Sequence, residues 1–306
     1  MTLLLLALAC STNDGTDAEE TSFPPPAPEN GVQIAIGDIS LDGYSETEMC
    51  RYIKTDNLAE GRITSMELVA TEGLHHALVM KSSADLDDGE VACFGIPEEL
   101  MSGLSIPEPL LVTSTQVNEE SLSFPEGVAV PIDASQQLVF NYHYLNVNEE
   151  PLDAEIYLNL TFAEEDEETE DAGVYIMGNI SGVDIPAGTT QTLSTTCSFD
   201  EDVSMFSITP HMHQYGTAFS MFLTESGEVL HQDDDWYDPA TTYMDPPQEI
   251  SADEDITFTC SWENSTDQDV TFGETTEDEM CFVFGFHWPA SGFTYMQEGY
   301  GCQQEE

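Results

Sequence analysis

The sequence predicts an all-β protein made of two antiparallel β-sandwich domains of the jelly-roll type. Apolar and polar residues alternate with a period of two in stretches such as AEIYLNLTF (154–162) and DITFTCSW (255–262). No stretch of comparable length has sustained helical spacing. Clusters of Gly, Pro, Asn and Asp separate the predicted strands without intervening helices, a pattern typical of sandwiches and jelly rolls.

Length and composition predict two domains. The chain has 306 residues, of which 40% are hydrophobic, and this suits two cores of ordinary size better than one. The acidic run EEDEETED (164–171) cannot join a core, so we expect it to be the linker. The predicted domains are therefore residues 31–163 and 172–306.

The first thirty residues predict export. The segment MTLLLLALAC is too short to span a bilayer and resembles a signal sequence. Its ending also resembles a lipoprotein signal, in which Cys10 would be lipidated; a simply cleaved signal or a misassigned start is the alternative. The polar, proline-rich residues 11–30 predict a disordered tether. We expect an exported protein, lipid-anchored on the periplasmic or cell-surface side or otherwise secreted.

The charge of the chain restricts its partners. Sixty Asp and Glu residues oppose four Lys and Arg residues, all of which lie between positions 51 and 81, and the formal net charge is −56. Such a chain is unsuited to neutralising phosphates, so nucleic acid is excluded as a partner, and a membrane is expected only through the lipid anchor. Most carboxylates lack a basic partner, which predicts dependence on screening cations or on bound calcium.

The cysteines agree with an oxidising compartment. Apart from Cys10 there are six, an even number that suits three disulfides, and no CxxC pair occurs. Two precede the acidic run and four follow it. They are Cys50, Cys93, Cys197, Cys260, Cys281 and Cys302.

Histidines in the first half form one candidate metal site. His75 and His76 are adjacent in LHHALVM, and His143 lies in FNYHYLN on the strand face that also carries Asn141. Neighbours on a regular strand point to opposite faces, so His75 and His76 can share a metal only at a bend or bulge. A single histidine on such a face is more often solvated or hydrogen-bonded than metal-bound.

A second candidate site lies in the other half. His211 and His213 in ITPHMHQYG are two residues apart, so on a strand they would project from one face, and Pro210 indicates a strand end or edge. Met280 precedes Cys281 and is by itself an ordinary core residue. A metal site made of two imidazoles and one thioether would favour Cu(I) and leave a position open for a small ligand.

Four motifs in this order resemble those of the copper type II, ascorbate-dependent monooxygenases: LHHALV (74–79), NYHY (141–144), PHMH (210–213) and TTEDEMC (275–281). The resemblance runs from about Gly31 to Cys302. It implies two jelly-roll domains that face each other across a cleft, with one copper on each. It also implies a reaction of O2 with a small-molecule substrate, with ascorbate or a similar one-electron donor.

The resemblance further implies roles for individual residues. The electron-storing copper would be held by His75, His76 and His143, and the copper at which oxygen reacts by His211, His213 and Met280, which are the catalytic residues. The implied disulfides are Cys50–Cys93, Cys197–Cys302 and Cys260–Cys281.

Departures from the family concern the substrate. Peptide-amidating members hold a carboxylate with Arg, Asn and Tyr at the positions of Thr209, Phe282 and Phe284. We therefore expect these residues, with Asn141, to line a pocket for an apolar, aromatic or amine substrate. Two alternatives remain open: an exported copper-binding or electron-transfer protein without turnover, and an acidic surface protein with incidental histidines.

Overall fold

The computed structural model describes most of the chain. The described residues are 23–54, 60–82, 87–92, 108–113, 118–134, 136–237, 239–273, 275, 277–290, 294–298 and 301–304. All regular secondary structure in these ranges is β-strand, which confirms the all-β prediction. No helix of the described residues is long and apolar enough to cross a membrane.

The N-terminal half contains two sheets. One has the order β1-β10-β3-β8-β11, with β7 also paired to β3, and the other has the order β5-β2-β9-β4-β6. The strands are β1 (Gly31–Leu41), β2 (Ser45–Lys54), β3 (Gly61–Ala70), β4 (Leu74–Ser82), β5 (Gly89–Ala92), β6 (Glu108–Thr113), β7 (Glu119–Ser123), β8 (Val128–Ile132), β9 (Gln137–Asn146), β10 (Leu152–Phe162) and β11 (Glu170–Asp171).

The C-terminal half contains a ten-stranded sheet and a small two-stranded one. The large sheet has the order β17-β16-β19-β14-β23-β22-β12-β21-β15-β18, and β13 pairs with β20. The strands are β12 (Gly173–Gly178), β13 (Asp184–Ile185), β14 (Thr190–Cys197), β15 (Val203–His211), β16 (Gly216–Leu223), β17 (Val229–Asp233), β18 (Thr242–Ile250), β19 (Ile256–Glu263), β20 (Val270–Thr271), β21 (Phe282–Trp288), β22 (Thr294–Glu298) and β23 (Gly301–Gln304).

The ten-stranded sheet nearly closes on itself, whereas the sequence predicts two separate sheets in this half. The strands β22 and β23 pair with each other and connect β12 on one side to β14 on the other. Without them the sheet would divide into two four-stranded sheets. The two edge strands of the sheet, β17 and β18, also approach each other, since His231 Nδ1 of β17 lies 2.8 Å from Thr242 Oγ1 of β18.

The predicted alternation matches the observed burial. Ile156, Leu158 and Leu160 on β10 are fully buried, and so are Ile256, Phe258 and Cys260 on β19, with Trp262 1% exposed. One apolar cluster fills the N-terminal half and extends into the other half through Ala172, Val174, Phe206 and Phe286. A second cluster fills the interior of the ten-stranded sheet. The apolar interior of the N-terminal half therefore reaches β12, β15 and β21 of the C-terminal half.

The segments expected to lie outside the domains are partly ordered against them. Asn159 Nδ2 donates a 3.1 Å hydrogen bond to the carbonyl of Pro26, and Phe23 packs edge-to-face on Tyr157. In the acidic run, β11 pairs with β8 and the Arg62 guanidinium bonds to Asp171. Residues 23–30 thus differ from a free tether, because their carbonyls satisfy side-chain amides of the first sheet.

Two disulfides join strands of the C-terminal half. They are Cys197–Cys302 and Cys260–Cys281, two of the three pairs that the resemblance implies. Cys197 and Cys302 are register partners on β14 and β23, so the first bond fixes β23 to the sheet. The third implied pair includes Cys93 and lies outside the described residues, as does Cys10.

Candidate metal centres

A β-bulge brings His75 and His76 together. On β4, Leu74 is opposite Tyr144 and His76 is opposite His143, so His75 is an extra residue without a counterpart on β9. The Nδ1 atoms of His75 and His76 consequently lie 3.2 Å apart. The condition that the sequence sets for a shared metal, a bulge between the two residues, is therefore met.

His143 completes a triad with these two residues. Its ring centroid lies 5.0 Å from that of His75 and 5.3 Å from that of His76. Three ring nitrogens, one from each histidine, lie within 4.8 Å of one another, which is close enough to hold one metal ion. Partial burial of all three rings limits competition by water.

Burial favours the neutral imidazoles of two members of the triad, His75 and His76. Burial and the neighbouring His143 lower the pKa of His75, while Glu46 opposes the shift. Burial, with His143 and His75, lowers the pKa of His76 to about 3. His143 Nε2 lies 3.2 Å from a Glu46 carboxylate oxygen, so this nitrogen carries the proton and Nδ1 is left as an acceptor. Neutral rings of this kind are the form that binds metals.

Asn141 lies beside the triad. It is 1% exposed, and its Nδ2 donates a 3.1 Å hydrogen bond to Glu48. A side-chain hydrogen bond between Asn141 and His76 raises the pKa of that histidine against the larger effect of burial. Asn141 thus supports a member of the triad, and it does not line the cavity that contains Thr209 and Phe284.

The second pair, His211 and His213, lies where β15 ends. β15 stops at His211, as Pro210 predicts, and His213 follows in the loop, with the two rings perpendicular and 5.1 Å apart. Met212 between them is buried in the core, so both imidazoles point away from it. Burial, followed by the effects of His213 and His76, lowers the pKa of His211 to about 3.

His213 has a fixed tautomer. Its Nδ1–H donates to the backbone carbonyl of Asp278 at 3.2 Å, so Nε2 carries a free lone pair. Burial lowers the pKa of His213 against this hydrogen bond. An imidazole oriented by a backbone carbonyl in this way is the usual arrangement of a metal-ligating histidine.

Met280 is connected to His213 through a residue that the sequence did not single out. The fully buried carboxylate of Glu279 accepts hydrogen bonds from the backbone N–H groups of His213 and Met280, at 3.0 and 3.1 Å. In the sequence, Glu279 lies inside the TTEDEMC motif (275–281) and directly before the apolar stretch MCFVFGF, but the motif alone assigns it no role among the many acids of this chain.

The two groups of histidines influence each other. His213 contributes to the lowered pKa of His76, and His76 contributes to that of His211. Tyr237, from the segment between β17 and β18, packs edge-to-face on His75 with ring centroids 6.0 Å apart. The C-terminal half therefore contacts the triad directly, a contact that no sequence pattern indicated.

Three of the four residues predicted to line a substrate pocket, all except Asn141, lie near His211. Phe282 is its register partner on β21, and the ring of Phe284 lies 5.9 Å from the ring of His211. Thr209 and Phe284 line a small cavity, but Phe282 instead packs its ring on Gly178. The other lining residues come from both halves and are Glu120, Leu122, Val174, Ser207, Thr241, Tyr243, Gly285 and Phe286.

Comparisons with known proteins bear on the C-terminal half. Residues 170–302 match the family model described as copper type II ascorbate-dependent monooxygenase, C-terminal domain. Among solved structures, the crystal structure of the PBSX exported protein XepA is 11% identical, over 78% of this chain and 89% of that chain. Its TM-score of 0.20 is too low to indicate a shared fold.

Proposed function

We propose that the whole chain is an exported copper monooxygenase, because residues 170–302 match the C-terminal domain of the copper type II ascorbate-dependent monooxygenases. It would hydroxylate a C–H bond of a small substrate with O2 and a one-electron reductant such as ascorbate. The finer architecture, two jelly-roll domains that face each other across a cleft, belongs to the same proposal. The observation that carries it is the His75, His76 and His143 triad, which lies within electrostatic reach of His211 and His213 in the matched half.

The residues at both sites fit copper. In the first site, three imidazoles converge, with Nδ1 of His143 left available by the bond to Glu46. In the second, Nε2 of His213 is available, His211 is adjacent, and Met280 would add the thioether. Imidazole suits copper in general, whereas a thioether favours Cu(I). The two sites would therefore differ in how readily they keep a reduced copper.

Copper at these sites would supply single electrons to the reaction R–H + O2 + 2e⁻ + 2H⁺ → R–OH + H2O, with one electron stored at each site. The protein would contribute three things. His75, His76, His211 and His213 stay neutral at working pH because burial lowers the pKa of each. Glu46 and the carbonyl of Asp278 orient His143 and His213. Tyr237 shields His75 from solvent on one side.

The cavity beside His211 supports an apolar or amine substrate. Its lining includes the rings of Phe284 and Phe286 and one acid, Glu120, to which Tyr243 Oη–H donates at 3.2 Å. The cavity volume is about 30 Å³, roughly the share of one water in the liquid, so only a terminal group of the substrate would enter it. A terminal ammonium would pair with Glu120, whereas a carboxylate would be repelled.

Export is supported by the two disulfides, which persist in oxidising compartments. We propose that the protein acts on the periplasmic or cell-surface side, attached through a lipid on Cys10 if the signal is of the lipoprotein type. Mass spectrometry of the protein purified from membranes would test the anchor. A mature chain that begins elsewhere than Cys10, without a lipid, would contradict it.

The experiment that tests the function is a turnover screen. Protein loaded with two coppers is reduced with ascorbate and offered apolar, aromatic and amine compounds, while oxygen uptake is followed and products are examined for a mass gain of one oxygen atom. Met280→Ile serves as the matched inactive control. Substrate-dependent oxygen uptake by the wild type alone would support the proposal. Full copper loading and reduction without uptake for any compound would indicate a copper-binding or electron-transfer protein instead.

A further inference from the structure

Glu279 is a buried carboxylate whose hydrogen-bonding capacity is filled by donors from three parts of the chain. Its Oε2 accepts from the backbone N–H of His213 at 3.0 Å, from the indole Nε1–H of Trp262 at 2.9 Å and from its neighbour's backbone N–H at 3.1 Å. Its Oε1 accepts from the backbone N–H of Tyr215 at 2.7 Å. The side chain has no exposed surface.

All four partners are donors, and this defines the form of the carboxyl group. An ionised carboxylate only accepts hydrogen bonds, whereas a protonated acid must direct an O–H toward an acceptor. The partners that the structure gives Glu279 provide none, so the arrangement suits the anion. Burial raises the pKa of Glu279, whereas the four hydrogen bonds, all from neutral donors, act against that shift.

Two of the four donors belong to ligands of the proposed second copper. His213 lies just beyond β15, and Met280 lies just before β21, some 67 positions further along the chain. One oxygen atom of Glu279 bonds to both backbones, so the separation of the imidazole from the thioether depends on it. The carboxylate also bonds to Trp262 of β19, a fully paired strand of the large sheet.

We propose that Glu279 is the positioning residue of the His211, His213 and Met280 site. The inference rests on the proposed function, since it concerns copper at that site. Glu279 fixes the backbones of two ligands, His213 and Met280, in one geometry, and this geometry sets the copper affinity of the site.

The test replaces the carboxylate by its neutral isostere, Glu279→Gln. One carboxamide oxygen can keep the bonds made by Oε2, but the NH2 group then faces the N–H of Tyr215. We expect an affinity loss of about 10- to 100-fold at this site, as is typical when a group that orients ligands is removed. We also expect a changed reduction potential and a shifted C–O stretch of carbon monoxide on the reduced protein, because the two ligands are displaced. The triad should keep its affinity and potential.

Two control variants distinguish the loss of ligand positioning from a loss of stability and from the loss of one negative charge. Asn264→Ala removes a buried side chain of the same half that donates 2.9 and 2.8 Å hydrogen bonds to the carbonyls of Ile185 and Gln268. Glu249→Gln neutralises an exposed carboxylate that accepts from Ser204. Neither should change copper affinity, potential or the C–O stretch, even where Asn264→Ala lowers the unfolding temperature as much as Glu279→Gln does.

The outcomes distinguish this inference from the proposed function. A wild type that binds no second copper overturns both. A wild type with two coppers, and a Glu279→Gln variant with the same affinity, potential and C–O stretch, overturns the positioning role alone. An equal affinity loss in Asn264→Ala also overturns it. If Glu279→Gln does not fold, Trp262→Phe removes one donor and keeps the charge; it should weaken binding of the second copper while the triad is unchanged, and no change would overturn the role.

Discussion

The Nδ1 atoms of His75 and His76 lie 3.2 Å apart, although the two residues are neighbours on one strand. A regular strand would direct them to opposite faces. The bulge at His75 rotates one side chain to the face of the other, opposite His143 on β9. At this distance one Nδ1–H donates a hydrogen bond to the other Nδ1 in the metal-free protein, and a metal ion bound by both nitrogens would replace that proton.

We predict that the purified protein binds two coppers per chain at distinguishable sites. Replacing Met280 by Ile should abolish oxygen reactivity, because the thioether that favours Cu(I) is lost, and should leave the His75, His76 and His143 site occupied. Metal analysis with competing chelators of known affinity measures both sites. Saturation of the wild type at one copper, or at none, would contradict this prediction.

We predict that glycine-extended peptides are not hydroxylated. Thr209, Phe282 and Phe284 provide no cation for a peptide carboxylate, and burying that charge unpaired costs several kcal/mol, on the order expected for a desolvated ion. The measurement is product formation from such a peptide with copper and ascorbate. Efficient conversion would mean that recognition uses groups outside this cavity.

We predict that Glu120 selects amines among the accepted substrates. Replacing Glu120 by Gln keeps the shape of the cavity and its bond to Tyr243, and it removes the only charge in the lining. A partly exposed ion pair contributes up to about 1 kcal/mol, so kcat/KM for an amine should fall about fivefold. A neutral compound of the same shape is the control and should be unaffected. Equal changes for both compounds would argue against pairing with Glu120.

We predict that His287 contributes to acid sensitivity. It is 3% exposed, its Nε2 lies 3.0 Å from Thr294 Oγ1, and burial lowers its pKa to about 4. Below pH 6.5 the unfolded chain takes up a proton that the folded protein does not, so stability is lost as pH falls from 6.5 toward 4. The full contribution of His287 to the free energy of unfolding is about 3 kcal/mol, which follows from its pKa of 6.5 in the unfolded chain and about 4 in the folded protein.

The corresponding measurement is urea unfolding at pH 7 and pH 4 for the wild type and for His287→Gln, which can keep the bond to Thr294. The variant should lose less stability between these two pH values. The other buried histidines are unchanged in both proteins, so their contributions cancel. An identical loss in the two proteins would show that His287 is not responsible.

We predict that stability rises with salt into the molar range. The chain has a formal net charge of −56, and its few basic groups are already engaged in pairs such as Arg51–Glu90 and Arg62–Asp171. Repulsion among the remaining carboxylates is screened as the Debye length falls from about 30 Å at 0.01 M to about 3 Å at 1 M salt.

Thermal unfolding of the metal-loaded protein against potassium chloride, with and without trace calcium, checks this prediction. Screening should continue to improve stability at high salt, whereas calcium sites would saturate at millimolar concentrations or below. An unfolding midpoint that is the same in low and molar salt would refute screening. A rise produced by calcium alone would replace it with specific ion binding.

Local sequence patterns predicted structural features that are confined to single strands. The alternation in β10 and β19 identified their buried residues, and the adjacency of His75 and His76 required the bulge that is present. Alternation does not specify which strands pair, so the joining of β12 to β14 through β22 and β23 was not predictable. Glu279 and Glu120 could not be identified as site residues from the sequence, because the chain contains sixty Asp and Glu residues. The burial that distinguishes Glu279 is visible only in the folded structure.

The pairing of β22 and β23 with β12 and β14 also protects the protein from self-association. In a chain that lacks residues 294–304, β12 and β14 would each present a row of unpaired N–H and C=O groups. Such exposed edges pair readily with other chains, and the Thr-rich β14 carries no charge to prevent it. Cleavage before this segment, together with reduction of the Cys197–Cys302 disulfide that holds it, would therefore convert a nearly closed sheet into one with two additional unpaired edges, at which copies of the protein could assemble.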